Sequence, residues 1–402
     1  MTDTARTSRT ARGRALSAAL ALALALPLAG ATAAVAAPAA PDRPAAEAAT
    51  TRPELPRPTG AFAVGRDTLH LVDTGRRDLW DPSKPRELMT SLYYPARGHG
   101  GHATRYTSEK AARAMLAHYQ LDVPAAAYSA TRTHARTGAP TAPGRFPLVV
   151  LSPGFTAPRS TLTHLAEDLA SRGYVVATVD HAHEAAGAEF DKGRVPPCVG
   201  CDPDSGVPGA RITANRAKDL SFVLDHLVGN RPAEPGEDRE ATWRHARMID
   251  RGRVGAGGHS IGGAASAALM NTDRRVRAGA NMDGGFQILP DGLRRPFLML
   301  GTETTTKPDG PYNWRDAWAR LDGWKRWLTV AGSGHFTFTD APVVLEQLGA
   351  DEDPDATISG RRAEQITRAY VGAFYDRHLR GVDRPILDGP TPAHPEVGFH
   401  QP

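Results

Sequence analysis

Residues 253–268 read Arg253-Val254-Gly255-Ala256-Gly257-Gly258-His259-Ser260, then Ile261-Gly262-Gly263-Ala264-Ala265-Ser266-Ala267-Ala268. The first half is a short apolar run that ends on a serine, and the second has the composition of a tightly packed helix. Gly258 and Gly262 stand two positions to either side of Ser260, matching Gly-x-Ser-x-Gly. That spacing has a steric origin. A serine at the apex of a sharp strand-to-helix turn is strained, and strand and helix pass each other only if small residues flank it. Gly257, Gly263 and the alanines widen the clearance. The N-terminus of the helix behind the serine favours negative charge developing there. Ser260 is therefore the candidate nucleophile.

The flanking chain alternates short apolar runs with helical patterns. Residues 88–94, 146–151, 174–179, 276–282, 296–300 and 327–330 read as strands, and the 146–151 run is apolar enough to be buried on both faces. Residues 161–172, 212–227 and 363–379 read as helices; Ile212, Leu220, Val223, Leu224 and Leu227 fall at helical spacing. Such alternation predicts the α/β class, with a mostly parallel central sheet flanked by helices.

A nucleophilic serine needs a base, and in this strand–serine–helix context the chain order is Ser, acid, His. His335 follows the last strand of the main set in Gly332-Ser333-Gly334-His335-Phe336, a loop able to carry an imidazole over the sheet edge. His378, His394 and His400 read as solvated. For the acid the residues leave a choice. Asp283 ends the strand after the elbow helix, in Asn281-Met282-Asp283-Gly284-Gly285, whereas Glu303 and Asp309 follow the next strand. An oxyanion needs two backbone N–H donors. Ile261, directly after the nucleophile, supplies one, and Phe155, in the loop Ser152-Pro153-Gly154-Phe155 after an early strand, supplies the other.

Residues 144–184 run from Gly144-Arg145-Phe146-Pro147-Leu148-Val149-Val150-Leu151-Ser152-Pro153-Gly154-Phe155 to Gly173-Tyr174-Val175-Val176-Ala177-Thr178-Val179-Asp180-His181 and beyond. Arg86-Glu87-Leu88, Tyr93-Tyr94-Pro95, Met282-Asp283-Gly284 and Gly334-His335-Phe336 accompany them. Over residues 60–380 this set resembles bacterial relatives of the plasma-type platelet-activating-factor acetylhydrolases. The resemblance implies an α/β-hydrolase fold, a Ser-His-Asp triad acting on short-acyl or lipid esters, and no cofactor. It also implies an acid after the strand that follows the nucleophile helix. Asp283, 23 residues beyond Ser260, suits that placement. A secondary likeness, through Ser152-Pro153-Gly154-Phe155-Thr156-Ala157 and Gly258-His259-Ser260-Ile261-Gly262-Gly263, is to cutinases and polyester hydrolases. Those carry the acid near Glu303, usually beside a tryptophan that is not found here. An amidase or peptidase using the same triad, and a binding protein that has kept the fold, are the other classes consistent with the residues.

At the N-terminus, Arg6, Arg9, Arg12 and Arg14 precede an apolar run over residues 15–29 and Ala34-Val35-Ala36, which predicts a signal peptide over residues 1–36 and a secreted protein. Residues 37–58 read as a disordered Ala/Pro-rich linker, 59–380 as the catalytic domain, and 381–402 as a surface tail. The leader accounts for most of the chain's net charge of +4, so nucleic acid is not an expected partner. No later segment is apolar enough to span a membrane. A monomer acting on a small-molecule or lipid ester is expected. The two cysteines, Cys198 and Cys201, read as a local disulfide in a proline-rich loop. His181, His183 and Glu184 read as shaping residues rather than metal ligands, and no metal is expected. His259 is expected to pack beneath the elbow, and Arg159 to orient the oxyanion loop, meet an acidic group, or remain a solvated helix-start residue.

Overall fold

Phe146-Pro147-Leu148-Val149-Val150-Leu151 offers water no polar side chain, and it forms a strand buried along its whole length. The computed structural model describes residues 52–98, 100–229, 243–351, 353 and 356–402, so the expected leader and the first part of the expected linker lie outside the described residues. Among these, one sheet carries β1 (Ala63–Arg77), β2 (Pro85–Ala96), β3 (His102–Arg105), β4 (Arg132–Thr137), β5 (Phe146–Ser152), β6 (Val175–His181), β7 (Ile249–His259), β8 (Val276–Met282), β9 (Phe297–Thr302), β10 (Lys325–Val330) and β11 (Val397–His400). Their spatial order is β11-β10-β9-β8-β7-β5-β6-β2-β1-β4-β3. The block from β6 to β10 is parallel; β2 and β11 flank it antiparallel. The helices are α1 (Glu109–His118), α2 (Ala125–Ser129), α3 (Thr163–Ser171), α4 (Gly209–Val228), α5 (Ile261–Thr272), α6 (Trp314–Trp318), α7 (Ala341–Gln347) and α8 (Gly360–Arg380). This is the α/β-hydrolase fold.

Strand periodicity divides the interior in two. Leu148 and Val150 of β5, with Phe297 and Met299 of β9, face a core shared with Leu220, Leu224 and Leu227 of α4 and Leu269 of α5. Val149 and Leu151, with Leu298 and Leu300, face the opposite core against Leu165 and Leu169 of α3 and Ile366, Tyr370 and Phe374 of α8. Burial on both faces explains why these strands read as unbroken apolar runs. Ser359 caps α8 by accepting from Arg362 N–H, and Gly381 ends it in the left-handed conformation.

The chain leaves β5 toward β6 on one side, while β7 lies on the other, so the strand order reverses at β5. In open α/β sheets the crevice at the carboxyl ends of such a switch point is where ligands bind. Here those ends carry Ser152, which opens the loop to Phe155, and His259, which leads into Ser260.

Two boundaries differ from the expectation. Residues 53–58 are not an unpacked linker: Leu55 is buried with Tyr106, Met115, Tyr128 and Val344, and its N–H donates to Arg132 C=O at 3.0 Å. A single leucine among prolines shows no period, yet it fills a satellite core. The 381–402 tail likewise supplies β11, which pairs Val397 with Val330 and His400 with Trp327 at the sheet edge. Nor are the late histidines solvated. His378 packs on Trp324, His400 bonds Thr329 Oγ1 and His394 lies against Tyr370.

Candidate active site

Ser260 joins β7 to α5 with φ 53° and ψ −129°, in the left-handed half of backbone space that serine enters only under constraint. The flanking glycines make the turn possible. A Cβ on Gly258 would lie 2.2 Å from Ser152 O, and one on Gly262 2.0 Å from the same oxygen. Ser260 N–H donates to Met282 C=O at 2.8 Å, tying the elbow to β8.

Asp283 also has positive φ, 55°, one residue past β8. Its N–H donates to Leu300 C=O at 2.9 Å, and its Oδ1 accepts Thr302 N–H at 2.8 Å. Asn281 holds the turn from below, accepting from Gly284 N–H and donating to Gly284 C=O, each at 2.8 Å. Trp314 Nε1–H adds a second bond to that carbonyl at 2.7 Å. The carboxylate is thus aimed by two strands and buried.

His335 reaches the site from the loop after β10. Its Nδ1 lies 2.6 Å from Asp283 Oδ2 and its Nε2 3.0 Å from Ser260 Oγ. A carboxylate can only accept, so Nδ1 carries the proton and Nε2 offers its lone pair to the serine hydroxyl. The imidazole is about a third exposed, 37%, while Asp283 is at 1%. One end of the chain is therefore open to solvent and the other is sealed. Glu303 and Asp309 are brought no part of this: both are exposed, and Asp309 pairs with Arg315.

His259 lies beneath the elbow, as expected. Its Nε2–H donates to His335 C=O at 2.7 Å, and the two rings are 4.6 Å apart. Burial, with His335 beside it, holds the His259 imidazole well below its usual range and keeps it neutral. Ile261 N–H, at the first turn of α5, and Phe155 N–H have no acceptor among the described residues. Tyr119 bonds Thr156 Oγ1 at 2.8 Å and stacks edge-on against Phe336, and Trp80 lies beside Phe155. These rings are half-buried, and Phe336 lies 5.6 Å from the His335 ring.

Cys198 and Cys201 are joined by a disulfide. The loop they close packs on the site: a Cβ on Gly200 would sit 3.0 Å from both Phe155 and Trp80. Arg159 is buried rather than solvated, with ion-pair contact to Asp180 and a bond from Nε to Ser91 Oγ at 2.9 Å. Burial pushes the Asp180 carboxyl up against the pull of that guanidinium. A separate cleft of about 480 Å³, lined by Arg66, Tyr93, Arg159, Asp180 and Glu189 among others, contains neither Ser260 nor His335.

Beneath the loop from Ser152 to Phe155 runs a polar network of which the sequence pointed only to the part at the end of β6. His181 bridges Ser152 Oγ (2.9 Å) and Asp219 Oδ2 (2.7 Å). Glu184 lies between Arg86 (2.7 Å) and Arg216 (2.7 Å), and Arg86 also binds Asp219 and Asp78. Burial opposes the charge on Asp219 and Glu184, but Arg86 and its neighbours hold both carboxyls below the usual range. His181 and Glu184 are thus committed to protein partners, and among the described residues no three His, Cys, Asp or Glu side chains are grouped to hold a metal ion. A signal for Arg216 and Asp219 was present. They fall on the same helical stripe as Ile212, Leu220 and Val223, where a charge needs a buried partner.

Residues 48–194 match the family model described as platelet-activating factor acetylhydrolase, isoform II. A probable 1-alkyl-2-acetylglycerophosphocholine esterase of Arthroderma benhamiae is 28% identical over 86% of this chain and 93% of its own. A bis(hydroxyethyl) terephthalate hydrolase of Streptomyces coelicolor is 33% identical over 41% of this chain and 42% of its own. The solved structure of a ferulic acid esterase from Streptomyces cinnamoneus is 46% identical and superposes with a TM-score of 0.76, covering 87% of this chain and 100% of the other. The chain is similar in part to the platelet-activating factor acetylhydrolases; it belongs to an esterase family of α/β-hydrolases and is an ester hydrolase.

Proposed function

We propose that this protein is an exported serine carboxylic-ester hydrolase in which Ser260, His335 and Asp283 form the catalytic triad. The observation that carries the reading is the continuous hydrogen-bond chain from Ser260 Oγ through both nitrogens of His335 to the sealed carboxylate of Asp283. Ser260 Oγ attacks the ester carbonyl as its proton passes to His335 Nε2. Asp283 holds the tautomer and stabilises the imidazolium. The carbonyl oxygen, now anionic, accepts from Ile261 and Phe155 N–H. His335 then protonates the leaving alkoxide, and water repeats the sequence on the acyl-enzyme. The open face of His335 admits that water. Export rests on the residue 1–36 pattern.

The substrates that fit the resemblance and the relatives are short-acyl and lipid esters. Esters of aromatic acids are a second reading, favoured by the rings of Tyr119, Phe336, Phe155 and Trp80 and by the ferulic acid esterase and terephthalate hydrolase likenesses. Hydrolysis of p-nitrophenyl acetate, butyrate, octanoate and palmitate beside methyl ferulate separates them. A maximum at acetate or butyrate supports the short-acyl reading, and a preference for ferulate the aromatic one. Ser260→Ala is expected to abolish turnover on every ester while leaving the thermal transition in place. Retained turnover in that variant overturns the triad.

A further inference from the structure

We propose that Arg216 is a positioning residue that aims the Phe155 N–H into the cleft by holding the carbonyls of the oxyanion loop from behind. The proposal rests on the reading of Phe155 N–H as an oxyanion donor. Arg216 Nη1 donates to Pro153 C=O at 2.6 Å, and Nη2 reaches Gly154 C=O at 3.4 Å. In a trans peptide the C=O and the N–H of one unit point in opposite directions. Turning the Gly154 carbonyl toward Arg216 therefore turns the Phe155 N–H away from it. The elbow lies along the same loop: a Cβ on Gly154 would be 3.5 Å from Ser260 Cβ.

Thr156 N–H donates to Glu184 C=O at 2.9 Å and holds the peptide after Phe155, but the two peptides before Phe155 have little else to fix them. Pro153 has no N–H, Gly154 has no side chain, and among the described residues Gly154 C=O otherwise receives only Ala157 N–H, at 3.4 Å. The guanidinium does so because its planar fork can serve two adjacent carbonyls while its third nitrogen is anchored. That anchor is Glu184, bonded to Arg216 Nε at 2.7 Å and braced by Arg86 on its other oxygen. Ser152 Oγ, 3.3 Å from Nη1 and tied to the His181–Asp219 pair, holds the strand end from which the loop departs. The Arg216 side chain is 1% exposed. Burying a cation there opposes folding, and an apolar residue would fill the same space without that cost. Orienting two peptides is the role that distinguishes the arginine from such a filler.

The test compares Arg216→Lys, Arg216→Met and the double variant Arg216→Met with Glu184→Gln, which removes both charges of the pair. Each is assayed for kcat and KM on p-nitrophenyl butyrate and for inhibition by phenylboronic acid, a mimic of the tetrahedral adduct. The expected result is a fall in kcat of about 10²-fold or more, the scale of losing one oxyanion donor. KM changes little, and boronate affinity falls with kcat/KM. Lysine retains charge but not the fork, so Arg216→Lys loses activity as well. A double variant with parental near-ultraviolet dichroism and unchanged kcat overturns the proposal, as does a change confined to KM. Phe155→Pro, which removes the N–H, compared with Phe155→Ala, which keeps it, tests the underlying reading separately. Equal activity in those two places the fault in the donor assignment. A loss specific to the proline variant, with Arg216 variants fully active, overturns the aiming role alone.

Discussion

Asp283 shows how one residue's surroundings suit it to the role proposed for it. Glu303 is closer to the more common acid position of the fold, but its side chain is exposed beyond β9, whereas Asp283 is sealed between β8 and β9 with one oxygen on Thr302 N–H and the other facing His335. In Asp283→Asn the amide can donate to Nδ1 and so favours the wrong imidazole tautomer. A fall in kcat of about 10³–10⁴-fold is expected, the scale known for such a change in serine hydrolases. Glu303→Gln is expected to retain kcat within about twofold. Steady-state kinetics of the two variants decides the acid: loss in Glu303→Gln with an active Asp283→Asn reverses the assignment. At this scale Ser260 and His335 were legible because each sits in a local pattern with a steric purpose. Asp283 stood only modestly ahead of Glu303 on the residues alone, since both are acidic groups that follow a strand, and family resemblance strengthened that preference.

At the scale of elements, the elbow depends on how closely α5 approaches the loop after β5. Gly262→Ala would place a methyl 2.0 Å from Ser152 O, a backbone atom that cannot rotate aside. The alanine's better helix propensity, worth about 1 kcal/mol, is outweighed, and a net loss of about 1–3 kcal/mol is expected by urea unfolding. Gly389→Ala, with nothing within 4 Å, is the control and is expected to be near neutral. An unchanged midpoint in Gly262→Ala would contradict the packing. Buried strands and long amphipathic helices were readable, because periods of 2 and 3.6 survive in sequence. The start of α3 was less so. Its N-cap, Leu162, has no capping side chain, and Asp340 supplies the missing acceptor to Thr163 N–H at 3.0 Å from 177 residues away.

At the scale of the whole molecule, the network around Asp219 links β1, β2, β6 and α4. Its carboxyl is held below the usual range, so the sign of its linkage is fixed. Its contribution is fully present above the unfolded carboxylate value, near pH 4, and is lost as pH falls through the lower folded value. Asp219→Asn is therefore expected to be most damaging at neutral pH, by about 3–5 kcal/mol for a broken buried pair. Its deficit should narrow by on the order of 1 kcal/mol between pH 7 and pH 3. Urea midpoints of both proteins across that interval test this, and a deficit independent of pH would refute the linkage. The Cys198–Cys201 link closes too short a loop to restrain much of the unfolded chain, about 2 kcal/mol by chain entropy. Its main structural consequence is the wall it sets against Phe155 and Trp80.

By itself the sequence determined the α/β class, the elbow at Ser260 and the glycine-flanked His335, because each is encoded within about a dozen neighbouring residues by period, size or backbone freedom. Only the tertiary structure decided the geometry that aims Asp283, the docking of Leu55, the edge strand β11 and the joining of Arg216 to Pro153 across 63 residues. The Arg216–Pro153 contact is made where the sheet reverses its strand order, and in each case chain topology brings together groups whose local sequence carries no sign of one another.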